Sequence, residues 1–108
     1  TTSPAAMLGN LDKLLLGDVL SPAGRARLTD SMIASKTGAT RLRAGAPDGW
    51  RVGDKTGAGA NGTTNDVAIF WPPGRKPVLV AAYLTQCARG AEERNAALAE
   101  VARIVTAR

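Results

Sequence analysis

The chain has 108 residues, a formal net charge of +5 and 44% hydrophobic residues. That length fits one domain or a part of one, and the apolar content excludes an intrinsically disordered chain. Only 4% of the residues are aromatic, so the sequence offers no stacking platform for nucleic-acid bases. No run approaches the roughly 20 apolar residues of a membrane span. We therefore expect a solvated basic surface, with neither a nucleic acid nor a membrane as partner.

The sequence has few residues that could bind a metal ion or take part in redox chemistry. Cys87 is the single cysteine and histidine is absent, which excludes an internal disulfide and a metal site of the Cys/His type. The acidic residues show no Ca²⁺-loop or Mg²⁺-site pattern. We expect no metal, no cofactor and an ordinary thiol at Cys87.

A serine followed by a proline begins each of the first two predicted helices, which span about 4–16 and 22–35. Ser3 or Thr2 can cap the first helix and Ser21 the second, and proline suits the first helical position. Residues 38–49 indicate an irregular connection with one helical turn. The chain begins without methionine or a signal-peptide pattern, so we expect a processed precursor or a part of a longer protein.

The hydrophobic period then changes from about 3.6 to 2, which predicts strands at about 50–56, 65–71 and 78–85. A last helix is predicted at about 91–106. The third strand is apolar on both faces, which predicts a central, buried position. The short links predict an antiparallel meander. The fold class is therefore α+β, a three-stranded antiparallel meander packed with helices, with 1–108 as part of one domain.

The triplet Lys-Thr-Gly occurs twice, as Lys36-Thr37-Gly38 and as Lys55-Thr56-Gly57. The first lies where a helix ends, and we expect Lys36 to be structural only. The second ends an alternating strand, where its ammonium and hydroxyl could hold a carboxylate. The glycines, including Gly59, would allow close approach, and the Ala58 N–H could donate to an oxyanion. A solvated hairpin with a surface lysine explains this segment equally well.

The surroundings of the second triplet resemble the class A serine β-lactamases. The resemblance covers essentially the whole chain and rests on Thr1–Met7, Leu20-Ser21-Pro22, Arg41–Gly45, Trp50–Gly59, Gly62–Val67 and Trp71-Pro72-Pro73. It implies the fold shared by serine β-lactamases and penicillin-binding proteins, a β-lactam as substrate, and a periplasmic or secreted location.

The resemblance also implies a role for individual residues. Lys55 and Thr56 would hold the β-lactam carboxylate, and the Ala58 N–H would be one of two oxyanion-hole donors. Many class A enzymes place an arginine on the neighbouring strand, where this chain has Thr64. Arg41 matches a loop arginine that fills the same space in such enzymes. The implied substrate-binding residues are Lys55, Thr56, Gly57, Gly59 and Arg41.

The catalytic motifs of the family are missing from these 108 residues. No serine is followed three residues later by lysine, and Ser-Asp-Asn and the omega-loop glutamate are absent. Without nucleophile or base, covalent hydrolysis cannot proceed, so we expect this chain alone to be inactive. Its expected partner is the N-terminal part of the same enzyme.

Two other functions remain open from the sequence: a fragment of a penicillin-binding protein, and a small basic binding module without enzymatic activity. Gly57–Gly62 also spells Gly-x-Gly-x-x-Gly. The dinucleotide-binding fingerprint requires a helix after it, whereas a strand is predicted here, which argues against a nucleotide site.

Overall fold

The computed structural model describes residues 2–107, so Thr1 and Arg108 lie outside the described residues. A π-helical turn over Asp12–Leu16 extends the first helix, and a 3-10 turn over Leu42–Gly45 precedes the sheet. The predicted α+β class is confirmed. The elements are α1 Pro4–Leu11, α2 Pro22–Ile33, β1 Arg51–Gly59, β2 Thr63–Trp71, β3 Val78–Leu84 and α3 Ala91–Thr106.

The three strands form an antiparallel sheet in the order β1-β2-β3. Arg51 lies opposite Trp71, and the register runs without interruption to Gly59 opposite Thr63. The predicted meander is therefore confirmed. Within residues 2–107 the central strand is β2, and β3, predicted to be central, lies at an edge of the sheet. In β3 only Val80 is buried, and the strand is apolar on both faces because helices pack against both faces of the sheet.

Helices cover the two faces of the sheet through two separate apolar clusters. Side chains alternate between faces along a strand, so neighbouring residues of β1 and β2 enter different clusters. On the α3 face the buried residues are Leu42, Val52, Ala68, Phe70, Val80, Leu98 and Ala102. On the α1 and α2 face they are Leu11, Leu15, Met32 and Ile69.

Strand β1 extends further than the sequence predicted. The prediction ended it at Thr56 and placed Gly57 and Gly59 in the turn, whereas both glycines lie in the strand. Glycine lowers strand propensity because it has no side chain to pack, but backbone pairing with β2 continues to Gly59. The turn itself uses Asn61 and Gly62, with φ values of 63° and 65°.

Serine hydroxyls cap the first two helices, and of the two candidates at the first helix Ser3 is the cap. Ser3 Oγ accepts from Ala6 N at 3.1 Å, and Ser21 Oγ accepts from Gly24 N at the same distance. Regular α-helix ends at Leu11 and at Ile33, short of the predicted ends at residues 16 and 35. Among residues 2–107, no helix is long and apolar enough to cross a bilayer.

Candidate substrate-binding site

The predicted clamp residues lie on β1, which has a neighbouring strand on one side only within the described sheet. Lys55 is exposed, and its Nζ donates to Thr56 O at 2.6 Å. Among residues 2–107 no carboxylate forms an ion pair with Lys55. Ala58 is also exposed, and it lies opposite Thr64 of β2. The edge of β1 therefore presents an unneutralised ammonium beside accessible backbone.

The two Lys-Thr-Gly triplets meet in the structure. Thr37 Oγ1 and Thr56 Oγ1 are 2.7 Å apart and share a hydrogen bond. Lys36 is exposed and forms no ion pair within the described residues. The sequence did not reveal this contact, because the two threonines are 19 positions apart and the end of α2 brings them together.

Arg41 reaches the same strands from the segment that precedes the 3-10 turn. Its Nη1 donates to Gly57 O at 3.1 Å and to Asn65 O at 2.9 Å. Its Nε donates to Asn95 Oδ1 of α3 at 3.0 Å. Asn95 was not among the predicted site residues. Three oxygens thus fix the guanidinium plane, and within residues 2–107 its Nη2 group has no hydrogen-bond partner.

A second arginine contacts Thr64, the position at which this chain lacks the arginine that the resemblance implies for many class A enzymes. Thr64 is buried, and its Oγ1 accepts from Arg94 Nε at 2.9 Å. Arg94 also donates from Nη1 to the carbonyl of Arg89. Nothing in the sequence around Arg94 indicated this contact, because Arg94 lies 30 positions after Thr64. Arg94 therefore holds the beginning of β2, where Thr64 lies opposite Ala58 of β1.

An apolar groove of about 540 Å³ lies beside Lys55, between the helices and β1. Lys36 and Thr37 also line this groove, so both lysines of the repeated triplet border it. Its apolar lining residues are Met7, Leu11, Leu14, Leu28, Met32 and Val67.

Behind the exposed edge, an ion pair anchors β1. Arg43 Nη2 lies 2.8 Å from Asp54 Oδ1, and Arg43 Nε donates to the same oxygen at 3.3 Å. The remaining donors of this guanidinium bind Val52 O at 3.0 Å and Met32 O at 3.1 Å. Arg43 thereby ties the end of α2 to the strand immediately before Lys55.

Asp66 of β2 is completely buried beside this ion pair. Its Oδ2 accepts from Leu42 N at 3.1 Å. Burial, together with the neighbouring Asp54 carboxyl and its negative charge, raises the pKa of Asp66 from its usual 3.8 to about 8. The Leu42 N–H and the Arg41 charge act in the opposite direction. The protonated, neutral form of Asp66 is therefore favoured at pH 7.

Comparison with known proteins identifies the family. The whole chain, residues 1–108, matches the family model described as the beta-lactamase enzyme family. A β-lactamase of Citrobacter koseri is 50% identical over 98% of this chain and 36% of its own length. β-Lactamase AST-1 of Nocardia asteroides is 49% identical over 97% of the chain and 34% of its own length.

Solved structures agree with this result. An ancestral class A β-lactamase superposes with a TM-score of 0.96 at 57% identity, over 98% of this chain and 41% of that one. A putative class A β-lactamase, PenP, from Rhodopseudomonas palustris also has a TM-score of 0.96, at 50% identity and the same coverage. The chain thus spans well under half the length of the proteins it matches. It belongs to the class A β-lactamase family.

Proposed function

We propose that this chain is part of a β-lactam hydrolase, in which it binds the substrate carboxylate and supplies one N–H of the oxyanion hole. The observation that carries the proposal is the exposed ammonium of Lys55, which has no ion-pair partner within residues 2–107. The hydroxyls of Thr56, the residue after Lys55 on β1, and of Thr37 are hydrogen-bonded to each other. A cation beside a hydroxyl donor is well suited to a carboxylate, since charge-assisted hydrogen bonds are the stronger kind.

Arg41 supports this clamp in the proposal. Its Nε and Nη1 groups are bound to protein oxygens, which leaves the Nη2 edge to face a ligand. A guanidinium is planar and its donors form a rigid fork, so fixing two of its nitrogens also fixes the direction of the third. Arg41 would therefore add a directed donor in place of the arginine that many relatives have at the position of Thr64.

Ala58 supplies the oxyanion contact in this proposal, through its backbone and not its side chain. The residue is exposed on β1, between Gly57 and Gly59, where no side chain obstructs a ligand. A backbone N–H held rigidly in a strand needs no reorganisation as negative charge develops on the substrate oxygen. One such donor is typically worth about 10²–10³ in kcat.

The nucleophile and the general base would come from the rest of the complete protein. No Ser-x-x-Lys sequence occurs in these 108 residues, and the Citrobacter koseri relative is nearly three times as long as the aligned segment. We propose that this remaining part covers the apolar groove beside Lys55. A groove lined by Met7, Leu11 and Leu28 would otherwise expose contiguous apolar surface to water.

The distribution of arginine contacts supports a small anionic ligand over a nucleic acid. A nucleic-acid surface requires cations grouped along one face and free to reach phosphates. In the described part of the chain, seven arginines lie on several different elements, and their side chains contact other protein groups, so they do not form one free basic face. These are Arg41, Arg43, Arg51, Arg75, Arg89, Arg94 and Arg103.

Hydrolysis of a chromogenic cephalosporin tests the proposal. We expect sustained turnover by the complete protein and none by residues 1–108 alone, because the chain lacks a nucleophile. Steady turnover by the isolated chain would contradict the proposal. A complete protein that releases one equivalent of product and then stalls as an acyl-enzyme would instead be a penicillin-binding protein.

A further inference from the structure

Two buried aspartates face each other behind the clamp. Asp54 of β1 and Asp66 of β2 both have 0% of their surface exposed, and their carboxyl groups lie close enough to interact directly. Asp54 Oδ1 accepts from Arg43, and Asp66 Oδ2 accepts from Leu42 N. The other two oxygens, Asp54 Oδ2 and Asp66 Oδ1, are buried and have no donor in the described part of the chain.

Two ionised carboxylates are incompatible with this arrangement. Two acceptors cannot form a hydrogen bond without a proton between them, and each buried oxygen without a donor is strongly destabilising. Like charges in contact also disfavour double ionisation. Arg43 is the only cation that forms an ion pair with either carboxyl within residues 2–107, so one negative charge is matched and a second is not.

We propose that Asp54 and Asp66 share a single proton, which Asp66 Oδ1 carries and donates to Asp54 Oδ2, and that this bond holds β1 against β2 behind Lys55. The proton comes from solvent during folding, and no covalent bond other than O–H forms. The pair then has a charge of −1, which Arg43 balances. All four carboxyl oxygens have a hydrogen-bond partner in this state.

The electrostatic surroundings agree with the position of the proton. The Arg43 guanidinium lies 2.8 Å from Asp54 and forms no ion pair with Asp66 within residues 2–107, so its positive charge lies on the Asp54 side of the pair. The Arg41 charge acts on Asp66 from a greater distance and only partly offsets burial. Lys36 and Lys55 line the same groove as Asp54, but both are exposed and therefore screened by water.

The glycine of the first triplet leaves room for this carboxyl pair. A Cβ built on Gly38 would lie 1.6 Å from Asp54 Oδ2, the oxygen that accepts the shared proton. Gly38 is buried, and its carbonyl accepts from Arg41 N at 3.0 Å. No side chain fits between the loop and the pair, so water is excluded from this oxygen on that side.

The shared proton makes the pair a positioning element for the clamp, and this step rests on the proposed function. Asp54 immediately precedes Lys55, and Asp66 lies opposite Thr56 in the register. Loss of the proton would place two buried negative charges between the strands that carry the clamp. The strands would then separate locally, and the clamp would lose alignment.

The proton predicts a definite dependence of stability on pH. The folded-state pKa of Asp66 is raised from 3.8 to about 8, so the folded chain holds a proton that the unfolded chain releases between these values. The contribution of Asp66 to stability is complete below pH 4 and is lost as pH rises toward 8. Across this window the unfolding equilibrium constant should rise by up to roughly tenfold per pH unit from this group.

Asp66→Asn in the complete protein provides the test, with exposed Asp48→Asn as matched control. An asparagine amide can donate to Asp54 Oδ2 and accept from Leu42 N without a titratable proton. At pH 7 the unmodified protein and the control should show the infrared band of a protonated carboxylic acid, and Asp66→Asn should lack it. The pH slope of unfolding should decrease in Asp66→Asn only.

Two results would overturn the shared proton: no protonated-carboxyl band at pH 7, or an equal pH slope of unfolding in Asp66→Asn and the unmodified protein. The positioning role has a separate readout. KM for a carboxylate-bearing β-lactam should rise as pH passes about 8 in the unmodified protein and stay flatter in Asp66→Asn. An absence of β-lactam turnover would contradict the proposed function and leave the infrared and unfolding results to decide the proton.

Discussion

The two Lys-Thr-Gly triplets have the same letters and opposite structural settings. Lys36-Thr37-Gly38 follows the end of α2, and its glycine is buried. Lys55-Thr56-Gly57 lies on β1, and its glycine is exposed. The triplets touch through their threonine hydroxyls. Each triplet has an exposed lysine, so the main difference between them lies in the glycine and in what surrounds the lysine.

The environment of each glycine shows what the difference means. At Gly38 a Cβ would overlap a buried carboxylate oxygen. At Gly57 the nearest atom to a Cβ would be the Asn65 Cβ at 3.9 Å, an ordinary contact. Gly38 is therefore required by packing. Gly57 is compatible with a side chain in the folded state, so any requirement for glycine there must come from a ligand.

The largest effect is expected for Gly38→Ala. The new methyl group would displace Asp54 Oδ2, disturb the bond to Asp66 and strain the Arg43 ion pair, which should destabilise the protein by about 3 kcal/mol. Gly57→Ala is the matched control and should change stability by less than about 1 kcal/mol. Denaturant unfolding of the complete protein measures both. Equal losses for the two variants would contradict the packing difference.

Most of the fold could be predicted from the alternation of apolar and polar residues along the strands. Period-2 patterns and short links predicted three antiparallel strands, and the serine-proline pairs located two helix starts, because these signals are local. Among residues 2–107 β3 lies at an edge of the sheet and not at its predicted centre, for a physical reason. Apolar residues on both faces of a strand indicate that helices pack above and below it, as they do for β3. They do not indicate whether other strands lie on either side.

The sequence also contains a pattern that predicts the carboxyl pair. Asp54 and Asp66 alternate in phase with Val52 and Phe70, so the strand pattern places both aspartates on the buried α3 face. Two acidic residues at inward positions of paired strands indicate a shared proton or a buried cation. No local pattern in the sequence indicated the contacts of Asn95 and Arg94, because these contacts depend on where α3 packs.

A smaller loss is expected for Lys55→Ala in the complete enzyme. Removing a charged donor from the bound carboxylate should lower kcat/KM for carboxylate-bearing β-lactams roughly 30-fold, in line with about 2 kcal/mol for a hydrogen bond to a charged group. Lys36→Ala removes the equivalent charge from the first triplet and should change kcat/KM less than twofold. Steady-state hydrolysis of one substrate by both variants compares them directly. An unchanged value for Lys55→Ala would contradict the clamp.

The smallest effect is expected for Arg41→Ala, at roughly fivefold in kcat/KM, because one directed donor is lost while the Lys55 charge stays. Arg41→Lys separates charge from geometry. A lysine cannot reproduce the fork held by Gly57 O, Asn65 O and Asn95 Oδ1, so its loss should approach that of alanine. Recovery of full activity by Arg41→Lys would mean that only the charge matters. A loss larger than that of Lys55→Ala would make Arg41, and not β1, the main carboxylate contact.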